Sequence, residues 1–425
     1  MLVPKLSSKI LNRIQNIVFT IETHQQLVVL LIIGFVIFSG TVYSISLGNT
    51  LRYHDERVYY TFSSNLVNKG LYSLDGIHAT ASRPPGYSLV LSFLLLMGAN
   101  VMTLRIFNFV LLGASIFLLF KILQKSSGGI SGLIAAFLII FYPVLFYLAG
   151  TLYPQTLGSF LLLSVIYLVF NREYFNIKSS LLIGLIFGIL LLSIPIFIVV
   201  LFVMIIFLIL YRKDFKTPAM LILIISIIMG SWAIRNYFIF KTFVPFSTNM
   251  GINLLIGNSP NTTSNSNAEV DLTTYRLHSS SFSETKRDSY FRSEAIRFVM
   301  ENKVMAIKLY FKKLISHFSY QNKIATNSES SSIKDLLMFL TYYPLLAVLI
   351  IRIFFCKRYP LSHVELFFIV IYCVDAFFQA IFFTRIRFRL PFDFLLIGVV
   401  ASFMSKILKS SLKSRVFFPK WLNCK

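Results

Sequence analysis

The chain has 425 residues, of which 56% are hydrophobic, 16% aromatic and only 13% charged, and its mean hydropathy is +0.75. Soluble domains carry about 25% charged residues, so a soluble enzyme, a disordered chain, a collagen and a disulfide scaffold are excluded, and a bilayer protein is predicted. The 40 Lys and Arg residues against 17 Asp and Glu give a net charge of +23, which we assign mainly to cytoplasmic loops rather than to a nucleic-acid partner.

Long apolar runs predict an all-α polytopic membrane protein with about ten transmembrane helices. The expected segments are 27–47, 102–123, 129–148, 153–170, 179–193, 196–211, 218–239, 334–355, 363–383 and 391–408. Residues 179–211 could instead form one long helix kinked at Pro195. Basic clusters flank both ends of that stretch, which favours a hairpin of two short helices.

The positions of Lys and Arg predict the orientation of the chain, because short cytoplasmic loops hold positive charge. Lys5, Lys9 and Arg13 precede the first apolar run, and no small-residue cleavage site follows. We therefore expect a basic interfacial helix and an uncleaved anchor. Both termini should be cytoplasmic, in a multi-pass protein of the inner (cytoplasmic) membrane.

Three regions are expected: residues 1–240 with a first outer loop at 48–101, an extracytoplasmic region at 241–333, and residues 334–425 with a basic cytoplasmic tail. The first loop ends in a short apolar stretch after Pro85 that should dip onto the membrane. Asn258 to Ser283 is rich in Asn, Ser and Thr and is predicted to be a mobile loop. The periodicity of Asp288 to Phe318 predicts an interfacial helix.

The first candidate site is the acidic pair Asp55 and Glu56, just beyond the first membrane helix. Neighbouring helical residues point about 100° apart, so one carboxylate can face a reaction centre while the other orients it or binds elsewhere. The alternative is an ordinary helix start, where acids are favoured by the helix dipole.

The second candidate is Arg385, Arg387 and Arg389 at the outer mouth of the last helix, against the usual charge distribution. Their period of two before Pro391 predicts an extended segment with all three guanidinium groups on one edge, suited to phosphate. Snorkelling to ordinary lipid headgroups is the alternative.

Other polar residues in apolar surroundings are weaker candidates. Arg235 at the outer end of the seventh helix needs an anionic partner, and Asp375 should be structural, paired with a buried Arg or Lys. The three cysteines form no CxxC pair and the six histidines no HExxH or HxxxH spacing. No cofactor is therefore indicated, and a divalent metal, for instance at His54 and Asp55, has no support in the spacing.

The order of these motifs resembles the integral-membrane glycosyltransferases of the GT-C superfamily, in the branch of the protein O-mannosyltransferases and the lipid A aminoarabinose transferase. The resemblance covers most of the chain. It rests on Asp55-Glu56 with Tyr59, Tyr60 and Arg83-Pro84-Pro85-Gly86-Tyr87, on Trp232 to Asn236 with 243–260, and on Arg387-Phe388-Arg389-Leu390-Pro391.

The resemblance implies a GT-C-type bundle that transfers one sugar, with inversion, from a polyprenyl-phosphate donor to a lipid, glycan or protein acceptor on the outer face. It implies Asp55 as base with Glu56 beside it, and a donor phosphate held by the arginines Arg387, Arg389, Arg385, Arg235 and Arg83. Further site candidates are His54, Tyr59, Tyr60, Gln155 and Asn236. A phosphate leaving group needs cations rather than a second carboxyl group, which agrees with a single base.

The sequence departs from many relatives at Gln155, where they have an acid, and this puts metal binding or catalysis at that position in doubt. The short extracytoplasmic region favours a bacterial enzyme that modifies a lipid or envelope glycan. Two alternatives remain open: a transporter or flippase of a lipid-linked saccharide, and a glycan ligase or polymerase.

Overall fold

The computed structural model describes residues 23–172, 174–263, 270–321 and 332–416, and the regular secondary structure of these ranges is entirely helical. The N-terminal basic segment with Lys5, Lys9 and Arg13 and the end of the basic tail, 417–425, lie outside the described residues. The helices are α1 (Gln25–Leu47), α2 (His54–Lys69), α3 (Gly86–Leu96), α4 (Val101–Ser127), α5 (Gly129–Ile140), α6 (Pro143–Ala149), α7 (Pro154–Asn171), α8 (Ile177–Ser193), α9 (Ile198–Leu210), α10 (Lys216–Phe240), α11 (Met250–Gly257), α12 (Thr273–His278), α13 (Glu284–Glu301), α14 (Lys303–His317), α15 (Ser332–Phe354), α16 (His363–Gln379) and α17 (Ile386–Val416).

Six of these helices are long and apolar enough to cross a membrane, namely α1, α4, α7, α10, α15 and α17. The expected span at 129–148 is instead two helices, α5 and α6, bent by 69°. Pro143 begins α6, because the first residue of a helix needs no backbone N–H. The same residue cannot continue α5, because proline cannot donate the hydrogen bond that a continuous helix requires. Counting that pair as one span gives up to seven, while α3, α8 and α9 are shorter apolar helices and α16 has 17 residues.

The core lies between α4, α7 and α17, whose facing side chains Leu119, Leu162 and Leu395 are completely buried. Buried apolar packing of this kind excludes lipid and fixes the relative positions of the helix ends. The helix ends form two groups, one at each end of the bundle, and the two groups differ in their polar side chains.

One group of helix ends, here called the basic end, is held together by cations. At this end Lys125 donates to the carbonyl of Asn171 (2.8 Å), Arg212 donates to the carbonyl of Val169 (3.1 Å), and Arg352 pairs with Glu365 (2.9 Å). The opposite group, the site end, contains the starts of α2, α7 and α17. Among the long helices, α4, α7, α15 and α17 therefore run from the site end to the basic end, and α1 and α10 run the opposite way.

Helices α8 and α9 reverse the chain at the 3-10 turn Pro195–Phe197. Ser180, at the start of α8, lies 3.2 Å from Thr217, which is at the start of α10 and soon follows the end of α9. Both outer ends of the pair are thus at the basic end, which is the hairpin arrangement. The reversal lies at the site end against Gly86, where an added Cβ would be only 2.7 Å from the backbone of Leu192.

The described residues of 241–333, the region expected to be extracytoplasmic, are more ordered than the sequence indicates. The stretch from Asn258 to Ser283 contains α12, and Leu272 before it is buried. The single helix expected from Asp288 to Phe318 is two helices, α13 and α14, that meet at Asn302. The short apolar stretch of the first loop forms α3, as its position after Pro85 suggests.

Candidate functional site

A cavity of about 320 Å³ opens at the site end of the bundle. The start of α2, the start of α7, the turn between α8 and α9, and the segment between α16 and α17 surround it. Its lining is Asp55, Tyr59, Arg83, Pro84, Tyr153, Pro154, Gln155, Ser193, Ile194, Pro195, Ile196, Phe197, Ile198, Phe246, Ser247, Asn249, Met250, Asn253, Phe378, Gln379, Phe382, Phe383, Arg387, Phe388 and Pro391. We call this space the Asp55 cavity.

Asp55 is held between two guanidinium groups in this cavity. Its Oδ1 lies 3.1 Å from Arg83 and its Oδ2 lies 2.7 Å from Arg387. Burial favours the neutral acid, but the charges of Arg387 and Arg83 outweigh it and lower the pKa of Asp55 to about 2. The carboxylate is therefore ionised at neutral pH and balanced by two cations.

Glu56 has a different position and does not line the Asp55 cavity. Its side chain is completely buried, accepts hydrogen bonds from the backbone N–H groups of Arg52 (2.7 Å) and Leu152 (3.0 Å), and has Arg105 at 3.8 Å. Because adjacent helical residues diverge, the turn that presents Asp55 to the cavity directs Glu56 into the protein. Of the two acids assigned to catalysis, only Asp55 faces the cavity, and Glu56 binds elsewhere and ties α2 to the loop before α7.

The expectation of an extended arginine row is wrong, because α17 already begins at Ile386. Residues two apart on a helix point about 200° apart, so the three guanidinium groups cannot share one edge. Arg387 alone of the three lines the Asp55 cavity, and its Nε has no hydrogen-bond partner among the described residues.

Arg389 is completely buried and is engaged within the protein. It pairs with Asp393 (3.1 Å) and donates to the backbone carbonyls of His317 (2.6 Å) and Ser319 (3.0 Å). It also lies over the ring of Tyr342, 3.6 Å from the ring centre. The sequence-based assignment of Arg389 to a donor phosphate is therefore replaced by a role in anchoring the start of α17 to the end of α14.

Arg385 lines a second cavity of about 320 Å³ on the other side of Arg387 and Tyr153. This second cavity is bounded by Tyr53, Pro143, Val144, Tyr147, Leu148, Thr151, Tyr153, Tyr320, Lys334, Asp335, Leu337, Met338, Arg385, Ile386, Arg387 and Leu390. Arg387 and Tyr153 form the wall between the two spaces, with the guanidinium 5.0 Å from the ring centre.

Four other predicted site residues do not line the Asp55 cavity. Arg235 donates to the carbonyl of Thr80 (2.9 Å) and lies 4.8 Å from the ring centre of Trp232, and Asn236 donates to the carbonyl of Val244 (2.9 Å). His54 is exposed and Tyr60 is half-buried outside the lining. Arg235 and Asn236 hold the loop of residues 48–101 and the segment after α10 in place.

Tyr59 and Gln155 do line the Asp55 cavity, as the sequence suggested. Gln155 is 6% exposed, and its side-chain oxygen has no partner in the described parts of the chain. A neutral amide at this position accepts a hydrogen bond but supplies no base.

Sequence reasoning missed Gln379 at the end of α16, which also lines the cavity. Asp375 was expected to pair with an arginine or lysine. Its carboxylate instead accepts two bonds from Gln379 Nε2, both 2.8 Å, and lies 3.6 Å from His317. Two polar residues four apart in an apolar helix are the signal that could have identified this pair.

The described residues contain no group of three His, Cys, Asp or Glu side chains placed to hold a metal ion. Asp55 is the only acidic side chain in the lining of the Asp55 cavity, and both its oxygens contact arginines. The residues around Asp55 thus form an anion-binding arrangement rather than a cluster of metal ligands.

Comparison of the sequence with protein-family models gives no match. Curated protein sequences likewise give no match to the chain. Among solved structures, the chain is similar to ArnT from Cupriavidus metallidurans bound to undecaprenyl phosphate, with 12% identity over 88% of this chain and 77% of that one and a TM-score of 0.41. The apo form of the same protein matches with 13% identity over 89% and 78% and a TM-score of 0.41.

Proposed function

We propose that this chain transfers a single sugar from a polyprenyl-phosphate donor to a lipid, glycan or protein acceptor at the Asp55 cavity. The observation that carries the proposal is the placement of one ionised carboxylate between two arginines, at the mouth of an apolar helix bundle. This arrangement combines a proton acceptor, cations for a phosphate, and apolar walls for a lipid tail.

In the proposed reaction, Asp55 accepts the proton of an acceptor hydroxyl while that oxygen bonds to the anomeric carbon. The bond between the anomeric carbon and the phosphate oxygen breaks, and the configuration at carbon inverts. The phosphate changes from a diester with one negative charge to a monoester with two. Arg387 and Arg83 are placed to stabilise the charge that develops there.

In the proposed reaction, Arg387 pairs first with Asp55 and then with the donor phosphate. A carboxylate with a pKa of about 2 is a weak base, because Arg387 and Arg83 stabilise its ionised form. When a donor phosphate enters and attracts these guanidinium groups, the carboxylate loses part of that stabilisation and its pKa rises. Donor binding would thereby increase the basicity of Asp55 before the acceptor is deprotonated.

The proposed topology has about ten membrane crossings, which adds the shorter helices α8, α9 and α16 and the bent pair α5–α6 to the six long spans. The basic end would face the cytoplasm together with both termini, and the site end would face outward. The cations at the basic end support this orientation.

The first test is transfer of radiolabelled sugar from a panel of polyprenyl-phosphate sugars by membranes that contain the wild type or Asp55→Asn. We expect transfer by the wild type and none by the variant, with equal amounts of folded protein. An active Asp55→Asn variant would disprove the assignment of the base. If the wild type transferred no sugar but moved lipid-linked saccharide across vesicles, a transporter would replace the proposed enzyme, and use of whole oligosaccharides would indicate a ligase or polymerase.

A further inference from the structure

Two buried amides of the Asp55 cavity have an oxygen that nothing in the described residues satisfies. Gln155 is 6% exposed and Gln379 is 1% exposed, and both line the cavity. The Oε1 atom of each has no hydrogen-bond donor within the described ranges. A buried acceptor without a partner costs free energy, so two such atoms at one cavity indicate a ligand that brings hydrogen-bond donors.

The orientation of the Gln379 amide is determined by its neighbours. Its Nε2 donates to both carboxylate oxygens of Asp375, each at 2.8 Å, and lies 3.3 Å from the carbonyl of Phe388. The reversed amide would place its oxygen against three acceptors and lose all of these bonds. The oxygen is therefore the part of the Gln379 amide that is left for a ligand.

Only one part of a polyprenyl-phosphate sugar can satisfy these oxygens. The prenyl chain carries no donor, and the ionised phosphodiester carries only acceptors. The sugar carries hydroxyl groups, each of which donates one hydrogen bond. The two amides consequently mark the place of the sugar rather than of the lipid or the phosphate.

The charges of the lining favour a neutral sugar. Asp55 is the only acidic residue among those that line the cavity, and its two oxygens already contact Arg83 and Arg387. An ammonium group on the sugar would approach two guanidinium groups with no free carboxylate to balance it. Amide oxygens, by contrast, bind hydroxyl groups without requiring a charge.

We propose that Gln155 and Gln379 recognise hydroxyl groups of a neutral sugar and so determine which sugar is transferred, with Asp375 as the residue that positions the Gln379 amide. This inference rests on the proposed function and extends it to the class of sugar. The roles of Gln379 and Asp375 depend on the tertiary structure, because the end of α16 packs beside the start of α17 and places the Gln379 amide at the cavity.

The test measures kcat/KM for wild type, Gln155→Met and Gln379→Met with polyprenyl-phosphate glucose, mannose and galactose and with monodeoxy analogues of the accepted sugar. Methionine keeps the size of glutamine and removes its acceptor. For the wild type, we expect kcat/KM to fall about fivefold when the recognised hydroxyl is removed from the sugar. For Gln379→Met, we expect kcat/KM with the complete sugar to be about fivefold below that of the wild type, and to fall no further with the deoxy analogue. Gln124→Met is the matched control, because Gln124 is placed at the basic end, where it accepts from Lys121 (3.3 Å), and all its rates should equal those of the wild type.

Asp375→Asn provides a second variant with a distinct signature. The asparagine amide can donate to Gln379 Oε1 and turn that amide round, so this variant should lose the same hydroxyl discrimination as Gln379→Met while KM for the shared prenyl-phosphate part is unchanged. A merely structural role would instead reduce transfer of every donor by the same factor. The apparent unfolding temperature of each variant separates loss of folded protein from loss of recognition.

Three outcomes would overturn the inference. If removal of each hydroxyl lowered kcat/KM by the same factor in the wild type and in both methionine variants, the amides would not contact the sugar. Faster transfer of a cationic 4-amino-4-deoxyarabinose than of any neutral sugar would refute the neutral class. If the wild type transferred nothing from any donor, the proposed function itself would fail, and this result is distinguishable from the first two.

Discussion

Asp55 shows how two residues can change the chemistry of a third. Arg83 and Arg387 lower the pKa of Asp55 to about 2 against the effect of burial. A depressed carboxyl pKa stabilises the folded protein above the unfolded value of 3.8, and this contribution is lost as the pH falls towards 2. The same pairing keeps the carboxylate ionised and weakly basic until a competing anion arrives.

Arg83→Met should raise the pKa of Asp55, because one of its two stabilising charges is removed. We expect the acid limb of the pH profile of kcat/KM to move up by about one pH unit. The measurement is sugar transfer from the accepted donor between about pH 1.5 and pH 7, a range that includes the acid limbs of both proteins. Arg57→Met is a suitable control, because Arg57 is exposed and absent from the cavity lining. An acid limb at the wild-type pH would contradict the charge assignment.

Glu56 and Asp55 are adjacent but should respond to mutation in different ways. Glu56→Ala leaves the N–H groups of Arg52 and Leu152 without their acceptor and Arg105 without its nearest carboxylate, so we expect a loss of about 3 kcal/mol of stability. Asp55→Asn should abolish transfer. It also removes the stabilising pairs with Arg83 and Arg387, but its loss of stability should be smaller than that of Glu56→Ala, because Asp55 faces the cavity and Glu56 is completely buried. Thermal unfolding in detergent, with transfer measured on the folded fraction, distinguishes these effects.

At the scale of secondary-structure elements, the start of α17 is the most informative segment. Because it is helical from Ile386, Arg387 and Arg389 face different surroundings: Arg387 the Asp55 cavity and Arg389 the interior. Pro391 within the helix has no N–H for the carbonyl of Arg387 and loosens the first turns there. The bonds from Arg389 to Asp393 and to the carbonyls after α14 compensate by fixing this start.

These two arginines form a matched pair for a second experiment. Arg389→Met should leave Asp393 buried without its cation and reduce stability by about 3 kcal/mol. Arg387→Met should lower the unfolding temperature less than Arg389→Met, because Asp55 keeps its pair with Arg83, and it should raise KM for the donor at least tenfold. Both variants are compared by thermal unfolding and by titration with the donor. A larger loss of stability in Arg387→Met together with a larger increase of KM in Arg389→Met would contradict these assignments.

At the scale of the whole molecule, the two ends of the bundle differ in composition, and this difference predicts its orientation. The exposed positions Ser280, near α12, and Lys357, between α15 and α16, mark the two sides. In a background with Cys356, Cys373 and Cys424 replaced by serine, Ser280→Cys should react with an impermeant maleimide in intact cells. Lys357→Cys should react only after permeabilisation, and the reverse pattern would invert the proposed topology.

The number of crossings can be tested with the same background. Tyr174→Cys, in the exposed connection between α7 and α8, should be protected in intact cells if α8 and α9 form a hairpin that returns to the cytoplasmic side. Labelling at position 174 from outside would show that fewer helices cross the membrane and would change the assignment of the bent pair α5–α6.

Composition and hydropathy alone determined that this is a helical membrane protein and where most of its long apolar helices lie. The order of the motifs, with its resemblance to a known family, gave the candidates for one site: Asp55, Arg83, Arg387, Tyr59 and Gln155. These properties are local, since they depend on residue type and on spacing along the chain. The rejection of Glu56 and Arg389 and the discovery of Gln379 required the tertiary structure. Whether a buried polar group is available to a ligand also depends on which partners distant helices bring to it. The one-dimensional pattern shows Gln379 four residues from Asp375 and Asp393 four residues from Arg389, but it does not show that His317 lies 3.6 Å from Asp375 or that Arg389 donates to the carbonyl of Ser319.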